Sequence, residues 1–233
     1  MIRTTNKSKQ KKAAKKRPAR VRDPRENILE IAERLCGERG LEAVSVRDIA
    51  AEARCNLAAI NYYFGSRKNL LLTILKARII EIEDARQELL APLLADPAPA
   101  LRALIRAMLT PLARWRVPTS PRRPALQFLC RTLTAADVDI RSEIGKGVRG
   151  FQQLIPAFQR ALPQLSFEEV CWRFHFMMSI EHMNPWDVDR LETLAGGKCN
   201  AADFEESLER AMDFAEAGFL APVRKFASAA PAG

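Results

Sequence analysis

Long hydrophobic runs, strand patterns and abundant glycine are all missing from this sequence of 233 residues. No stretch approaches the roughly 20 uncharged apolar residues that a membrane-crossing helix needs, and no apolar segment follows the N-terminal lysines. Only 10 residues are glycine, which excludes a collagen-like fibre. We therefore expect a protein with no membrane partner that is neither exported nor fibrous.

The cysteines lack the pairing that a disulfide framework or a structural zinc site requires. They are five in number and widely spaced, with no Cys-x-x-Cys pair. We expect each to be a small buried hydrophobic residue in a reducing cytoplasm. They are Cys36, Cys55, Cys130, Cys171 and Cys199.

Catalytic and metal-binding signatures are also missing, including G-x-S-x-G, the P-loop and H-E-x-x-H. Residues 145–150 do read G-x-G-x-x-G, but the polar, helix-patterned segment 137–144 stands where a dinucleotide site needs a buried strand. His175 and His182 lie seven residues apart, whereas helical metal ligands usually lie four apart, so packing explains them better. We predict no enzymatic activity, no metal and no cofactor.

Positive charge is concentrated at one end of the chain. The net charge is +9, from 37 basic and 28 acidic residues. Residues 1–22 contain ten of the basic residues and no acid, so the rest of the chain is close to neutral. We expect this basic arm, with little to bury, to be extended and disordered.

Apolar residues recur at helical spacing from Asp23 almost to the end, and no segment alternates with period two. This pattern predicts an all-α fold. Its first helix starts at Asp23-Pro24 and ends near Gly40; short helices start at Ser45 and Asn56, and a long one runs from Ser66 to about Leu94. Later helices are expected at about 99–115, 122–134, 137–161, 166–183 and 201–220. Pro111 is expected to kink or shorten the first of these, and Pro156 to kink the third.

The two short helices, joined by a tight turn and flanked by longer helices, predict a helix-turn-helix. In the second short helix, Leu57, Ile60 and Phe64 are spaced to pack inward. The other face is slim enough for a DNA major groove about 12 Å wide. We expect base contacts from Ala58, Ala59 and Asn61, and phosphate contacts from Ser45, Arg47, Tyr62, Arg67 and Lys68.

Residues 61–68 read Asn-Tyr-Tyr-Phe-Gly-Ser-Arg-Lys, and small or apolar residues precede them at Ile28, Ala32, Leu35, Gly40, Val46, Ile49 and Ala50. Over residues 23–75 this pattern resembles the TetR family of bacterial one-component transcriptional regulators. The resemblance implies a helical homodimer that binds an operator through its N-terminal helices and a ligand through the others. It also matches Tyr62 and Arg67 to phosphate contacts, and Ala59 and Asn61 to base contacts. Asn61 stands where many members carry tyrosine.

The C-terminal aromatic residues allow two interpretations: an ordinary core, or an effector cavity. Residues 56–62 and 172–177 resemble the fatty-acid-responsive branch of the family, which implies an apolar or acyl effector. Helices 166–183 and 201–220 carry enough apolar surface for a four-helix dimer interface. The candidate cavity residues are Trp115, Phe128, Phe151, Phe158, Trp172, Phe176 and Met177.

The sequence thus predicts a basic arm over 1–22, a helix-turn-helix DNA-binding domain over 23–70, a helical effector-binding and dimerisation domain over 71–222, and a flexible tail over 223–233. The expected protein is a dimeric, ligand-responsive transcriptional regulator, a repressor released from a palindromic operator on the bacterial nucleoid. Two alternatives are a ligand-independent architectural DNA-binding protein and a small helical enzyme.

The basic arm has three possible uses. It can be a solvated tail, it can bind phosphates or an adjacent minor groove, or it can lie on a membrane surface. Ten cations beside a groove-binding helix favour the phosphate interpretation, while the lack of interleaved apolar anchors counts against the membrane.

Overall fold

The structure is a computed structural model that describes residues 23–117, 119–133, 138–183, 188–199 and 203–224. Within these ranges the regular structure is entirely helical, which confirms the predicted all-α fold. None of the described helices combines the length and the apolar character needed to cross a bilayer. The basic arm and residues 225–233 lie outside the described residues.

The first three helices begin where the sequence predicts, because polar side chains satisfy their free N–H groups. Asp23 accepts from the backbone N–H of Arg25 at 3.0 Å, and Ser45 forms a reciprocal capping box with Asp48. Asn56 Oδ1 accepts from the backbone N–H of Ala59 at 2.7 Å. The helices are α1 (Pro24–Arg39), α2 (Val46–Glu52) and α3 (Leu57–Phe64).

A long fourth helix leads from this bundle into the rest of the protein. Its N-cap is Ser66, as predicted, and its 29 residues include Pro92. The helices that follow the first three are α4 (Arg67–Ala95), α5 (Leu101–Arg116), α6 (Arg123–Leu133), α7 (Val138–Gly150), α8 (Ile155–Ala161), α9 (Phe167–Met183), α10 (Val188–Ala195) and α11 (Phe204–Leu220).

The C-terminal helices differ from the prediction at three places. The single helix predicted over 137–161 is divided by a 3-10 turn, Phe151–Leu154, and Pro156 lies in the first turn of α8, where its missing N–H costs nothing. Pro111 is buried within α5 and does not shorten it, since the helix continues to Arg116; the kink predicted there stays a prediction. Helix α10 was not predicted.

Two hydrophobic clusters form the interior. The first joins α1–α3 to the start of α4 and to α6, and it includes Ile28, Ile49 and Ile60. The second lies among α5, α8, α9 and α11, where Phe158 stacks on Phe219 with ring centroids 5.2 Å apart. Leu57 was expected to pack inward but is 40% exposed, because it stands at the first position of α3, beyond the first cluster.

Helix α1 packs most extensively against α6. At Gly37 the two backbones come so close that a Cβ atom built there would lie 2.7 Å from the carbonyl oxygen of Pro124. Arg131 of α6 donates from Nε to the carbonyl of Gly37 at 2.8 Å and so satisfies an end carbonyl of α1. The first three helices are therefore held to the C-terminal helices by backbone contact as well as by α4.

A buried ion pair also joins α1 to α4. Arg78 Nε donates to Glu33 Oε2 at 2.5 Å, and Glu33 is only 7% exposed. Burial raises the pKa of the Glu33 carboxyl, and the nearby Arg78 guanidinium opposes that rise. The pair fixes the direction in which α4 leaves the N-terminal helices.

The cysteines fit the expectation only in part. Cys36 and Cys130 are buried, and burial raises the pKa of the Cys130 thiol to about 12. Cys55 and Cys171 are half-buried and Cys199 is exposed, so the expectation of five buried cysteines was wrong for these three. Cys55 follows the end of α2, Cys171 lines a groove, and Cys199 lies in the connection between α10 and α11.

Candidate nucleic-acid interface and apolar groove

Helix α3 presents a slim outer face. Ala58 and Asn61 are exposed and Ala59 is partly exposed, while Ile60 is fully buried and fixes the rotation of the helix. The methyl groups add little width, and the Asn61 amide can donate and accept hydrogen bonds at a base edge. The structure thus brings together the three residues predicted to contact bases.

The aromatic residues at the end of α3 include one that sequence reasoning missed. Tyr62 is 84% exposed, and its ring meets that of Tyr63 edge-on with centroids 5.2 Å apart. Tyr63 is itself exposed, although it was assigned no role. Its position next to Phe64 in the sequence does not indicate exposure. Only the structure, in which α3 packs against its neighbours, shows that the Tyr63 side chain is exposed.

Besides Tyr62, the residues predicted to contact phosphate fall into two groups, one at the start of α2 and one at the start of α4. Arg47 and Ser45 are exposed at the start of α2, although the Ser45 hydroxyl is already engaged in the capping box with Asp48. Hydrogen bonding from Ser45 lowers the pKa of Asp48. At the start of α4, Arg67 and Lys68 make contacts within the protein.

Arg67 turns toward the loop between α1 and α2. Its Nε donates to the carbonyl of Val44 at 3.0 Å, and one Nη donates to the carbonyl of Leu41. Lys68 pairs with Asp139 at the start of α7. Both side chains therefore join structural elements, and their phosphate contacts stay predictions.

The seven predicted cavity residues lie in different parts of the described structure. Trp115 and Phe128 belong to the N-terminal hydrophobic cluster. Phe158 and Met177 fill the C-terminal core, and Phe151 alone of the seven lines a described groove. Trp172 and Phe176 are 54% and 59% exposed on the outer side of α9.

The groove at Phe151 is an apolar cleft of about 360 Å³ between α9 and the segment that leads into α8. Sequence reasoning missed most of its lining, although several of these residues recur at helical spacing on α9. Polar groups stand among the apolar ones. The lining residues are Phe151, Gln152, Ile155, Cys171, Phe174, His175, Met178 and Ser179.

Phe151 also links this groove to α4. The buried Arg86 guanidinium of α4 lies 5.2 Å from the centre of the Phe151 ring, a cation–π distance. The Phe151 ring also contacts the ring of Phe174 on α9, with ring centroids 6.0 Å apart. Arg86 is held by its Nε donating to the carbonyl of Met108 at 3.3 Å.

A second cleft, of about 340 Å³, lies among α4, α5 and α11 and is more highly charged. Arg106 on its rim donates to Glu209, and Arg102 donates to the same carboxylate at 2.7 Å. These hydrogen bonds lower the pKa of Glu209. Its lining residues are Leu89, Leu93, Ala103, Arg106, Ala107, Thr110, Arg114, Phe204, Glu205 and Leu208.

The described residues contain no cluster of three or more histidine, cysteine or acidic side chains that could hold a metal ion. Residues 145–150 end helix α7, and a 3-10 turn follows them, so no strand supplies a dinucleotide fingerprint there. His175 is exposed on α9, and the side chain of His182 lies outside the described residues.

An apolar surface lies on the outer sides of α9 and α11. Trp172 stacks on Phe176 with ring centroids 5.9 Å apart, and Phe214 of α11 is largely exposed. The stacked, exposed pair on α9 is more typical of an interaction surface than of a free one.

Two family profiles match most of the chain. The profile described as "Bacterial regulatory proteins, tetR family" matches residues 28–74, and "Tetracyclin repressor-like, C-terminal domain" matches residues 106–218. The HTH-type transcriptional repressor NicS of Pseudomonas putida is 33% identical over 81 residues, 35% of this chain. The aligned part spans 38% of the length of NicS.

Solved structures share the fold. PfmR, a TetR family transcriptional regulator of Thermus thermophilus, is 20% identical with a TM-score of 0.60, over 88% of this chain and 100% of its own. A transcriptional regulator of Saccharomonospora viridis, in complex with choline, is 22% identical with a TM-score of 0.55, over 82% and 95%. Together, the two profiles show that the chain belongs to the TetR family of bacterial transcriptional regulators.

Proposed function

We propose that this regulator is a homodimeric repressor that binds a palindromic operator through α3 and releases it when an apolar effector binds among the C-terminal helices. The observation that carries the proposal is α3 itself, with Ala58 and Asn61 outward and Ile60 fixed in the core. Two copies of α3 held about 34–36 Å apart would enter successive major grooves. The division into a DNA-binding domain over 23–70 and an effector domain over 71–222 is part of the proposal.

Asn61 is proposed to read a base, so its replacement should change sequence preference. Asn61→Ala should lower discrimination at one or two operator positions by roughly 1–3 kcal/mol each. The measurement is a binding titration against the operator and a set of single-base variants, with the operator first selected by the wild-type protein from random duplexes.

Tyr62→Phe is the matched control on the same helix, since it removes a hydroxyl proposed to reach phosphate. It should weaken binding to all the duplexes alike. Equal weakening by Asn61→Ala on every duplex would remove its assignment as a base reader. Footprinting of the wild-type protein separates repressor from architectural protein: uniform coverage without a discrete palindrome would favour the latter.

The outer face of α9 and α11 supports the homodimer. Trp172 and Phe176 form a stacked pair there, and Phe214 adds a third ring. A second copy packed on this face would bury these rings in a four-helix interface. Helix α9 also lines the groove at Phe151, so dimer geometry and groove occupancy would involve the same helix.

The groove at Phe151 supports an apolar effector. Its volume of about 360 Å³ lies within the usual range of small-molecule sites, and aromatic, aliphatic and sulfur-containing side chains dominate its lining. Gln152, His175 and Ser179 can orient one polar end of an acyl chain. The second cleft, with arginines at its rim, fits such a chain less well.

The effector can act on DNA through Arg86. A ligand that displaces Phe151 would disturb the cation–π contact with Arg86, which lies on the helix that begins directly behind α3. A ligand shifts such an equilibrium only by its differential affinity for the two forms. We propose that the effector prefers the form in which the contact between Phe151 and Arg86 is broken, and that this preference is the source of the differential affinity.

Decanoate is a suitable probe of this groove. Raising its concentration should release the wild-type protein from its operator, while Cys171→Phe, which fills the groove, should need at least about tenfold more, a difference of roughly 1.4 kcal/mol. Fluorescence anisotropy of labelled operator DNA measures both.

The control is Cys199→Phe, the same substitution at an exposed cysteine outside the groove. It should respond as the wild type does. Release of Cys171→Phe at wild-type concentrations would contradict this groove as the effector site. Failure of decanoate to release the wild type would contradict an acyl effector and leave operator binding untouched.

A further inference from the structure

The turn between α2 and α3 is built around Arg54, whose φ is +52°. This is the left-handed region, where a Cβ atom crowds the following carbonyl oxygen. Among the described residues, Arg54 is the only one other than glycine with a positive φ. An arginine at this place therefore needs an explanation.

The hydrogen bonds around Arg54 form a Schellman motif that closes α2. The N–H of Cys55 donates to the carbonyl of Ala50 at 3.0 Å, and the N–H of Arg54 donates to the carbonyl of Ala51 at 3.2 Å. In this motif the residue in the position of Arg54 is usually glycine, because glycine adopts the left-handed conformation without steric cost.

The same part of the chain uses glycine elsewhere for positive φ. Gly40 after α1 has a φ of +100°, and Gly65 after α3 has a φ of +72°. The helix end that leads directly into the recognition helix carries arginine instead. Strained backbone of this kind concentrates at functional positions, where a side chain offsets its cost.

The Arg54 side chain is exposed and forms no ion pair within the described part of the chain. Glu52, the acid nearest in sequence, is already paired with Arg34 at 2.7 Å. Arg54 lies two residues before Asn56, the cap of α3, so it directly precedes the start of the helix proposed to enter the groove. Within the described part of the chain, its charge is therefore left to solvent.

We propose that Arg54 is a DNA phosphate contact and that the protein retains a strained turn in order to place it. The proposal rests on the proposed role of α3 and adds a residue that the sequence pattern did not indicate. A guanidinium suits a phosphate because its fork of N–H donors can bind two oxygens at once. The strain predicts that stability and DNA affinity will change in opposite directions.

Arg54→Gly removes both the strain and the charge. It should raise the urea midpoint of unfolding and weaken operator binding by about 5- to 10-fold at moderate salt. The slope of log affinity against log salt should become shallower by about 1 for each Arg54 in the complex. A scrambled duplex should lose affinity by the same factor, since phosphates carry no sequence.

Two further variants separate strain from charge. Arg54→Ala keeps the strain and loses the charge, so it should show the same loss of affinity without the gain in stability. Arg54→Lys keeps both and should stay close to the wild type in each measurement. All proteins are full-length, and the operator is the duplex selected by the wild type.

The proposal is overturned if Arg54→Gly and Arg54→Ala bind the operator as tightly as the wild type with an unchanged salt slope. It is also overturned if the loss is confined to the operator and spares the scrambled duplex, which would indicate a base contact. Failure of the proposed function looks different, because then the wild type itself would select no operator. Arg54→Gly is expected to be more stable than the wild type, so unfolding cannot imitate the predicted loss.

Discussion

Ala58→Glu will abolish operator binding and leave the fold intact. Ala58 is exposed on the outer face of α3, so the longer side chain meets no protein atom that must move. Once α3 enters the groove, however, the carboxylate faces a phosphate-lined surface. Like charges brought together at an interface cost several kcal/mol, which corresponds to a loss of more than about 100-fold in affinity. Anisotropy titration measures this loss.

Ala77→Glu is the control for that experiment. Ala77 is also exposed on a helix, but it lies ten positions beyond Arg67 on α4, about 15 Å along the helix axis. The affinity of Ala77→Glu for the operator should stay within a few-fold of the wild-type value. If Ala58→Glu binds the operator normally, α3 does not enter a groove and the proposed function falls.

Gly37→Val will destabilise the protein by about 3 kcal/mol, at the upper end of what overpacking costs. The added Cβ would lie 2.7 Å from the carbonyl oxygen of Pro124 and 3.2 Å from the backbone nitrogen of Phe128, and neither backbone atom can rotate away. Helix α6 must therefore retreat from α1. Denaturant unfolding at fixed protein concentration measures the free energy lost.

Glu38→Val places the same side chain one residue further along α1. Glu38 is exposed and loses only its pair with Arg34, so the expected cost is below about 1 kcal/mol. If the two variants lose the same amount, the effect comes from valine in a helix and not from the contact between α1 and α6. If neither loses stability, the close approach at Gly37 is not maintained in solution.

The N-terminal helices were predictable because their signals are local. Asp23, Ser45, Asn56 and Ser66 each cap a helix through a hydrogen bond two or three residues away, so the pattern and the structure agree. The backbone conformation of Arg54 was not predictable, for the opposite reason. Its residue type gives no sign of a left-handed backbone, and only the coordinates show it.

The C-terminal site was not predictable in the same way, because α9 carries apolar residues on more than one side. Phe174 and Met177 face the core, while Trp172 and Phe176 face outward. Helical spacing identifies residues that share a face but does not say which face is covered when both are apolar. The cavity prediction therefore mixed core, groove and surface residues.

If Lys68 binds a DNA phosphate as predicted, its pair with Asp139 sets DNA and the C-terminal helices in competition for one ammonium group. Each partner stabilises the charge, and whichever holds it lowers the benefit that the other can gain. Linkage would make this reciprocal: whatever tightens the docking of α7 on α4 would weaken phosphate binding at Lys68 by the same free energy, and bound DNA would loosen α7 in return. Sequence changes confined to α7, remote from every base, should then tune the affinity of this regulator for its proposed operator.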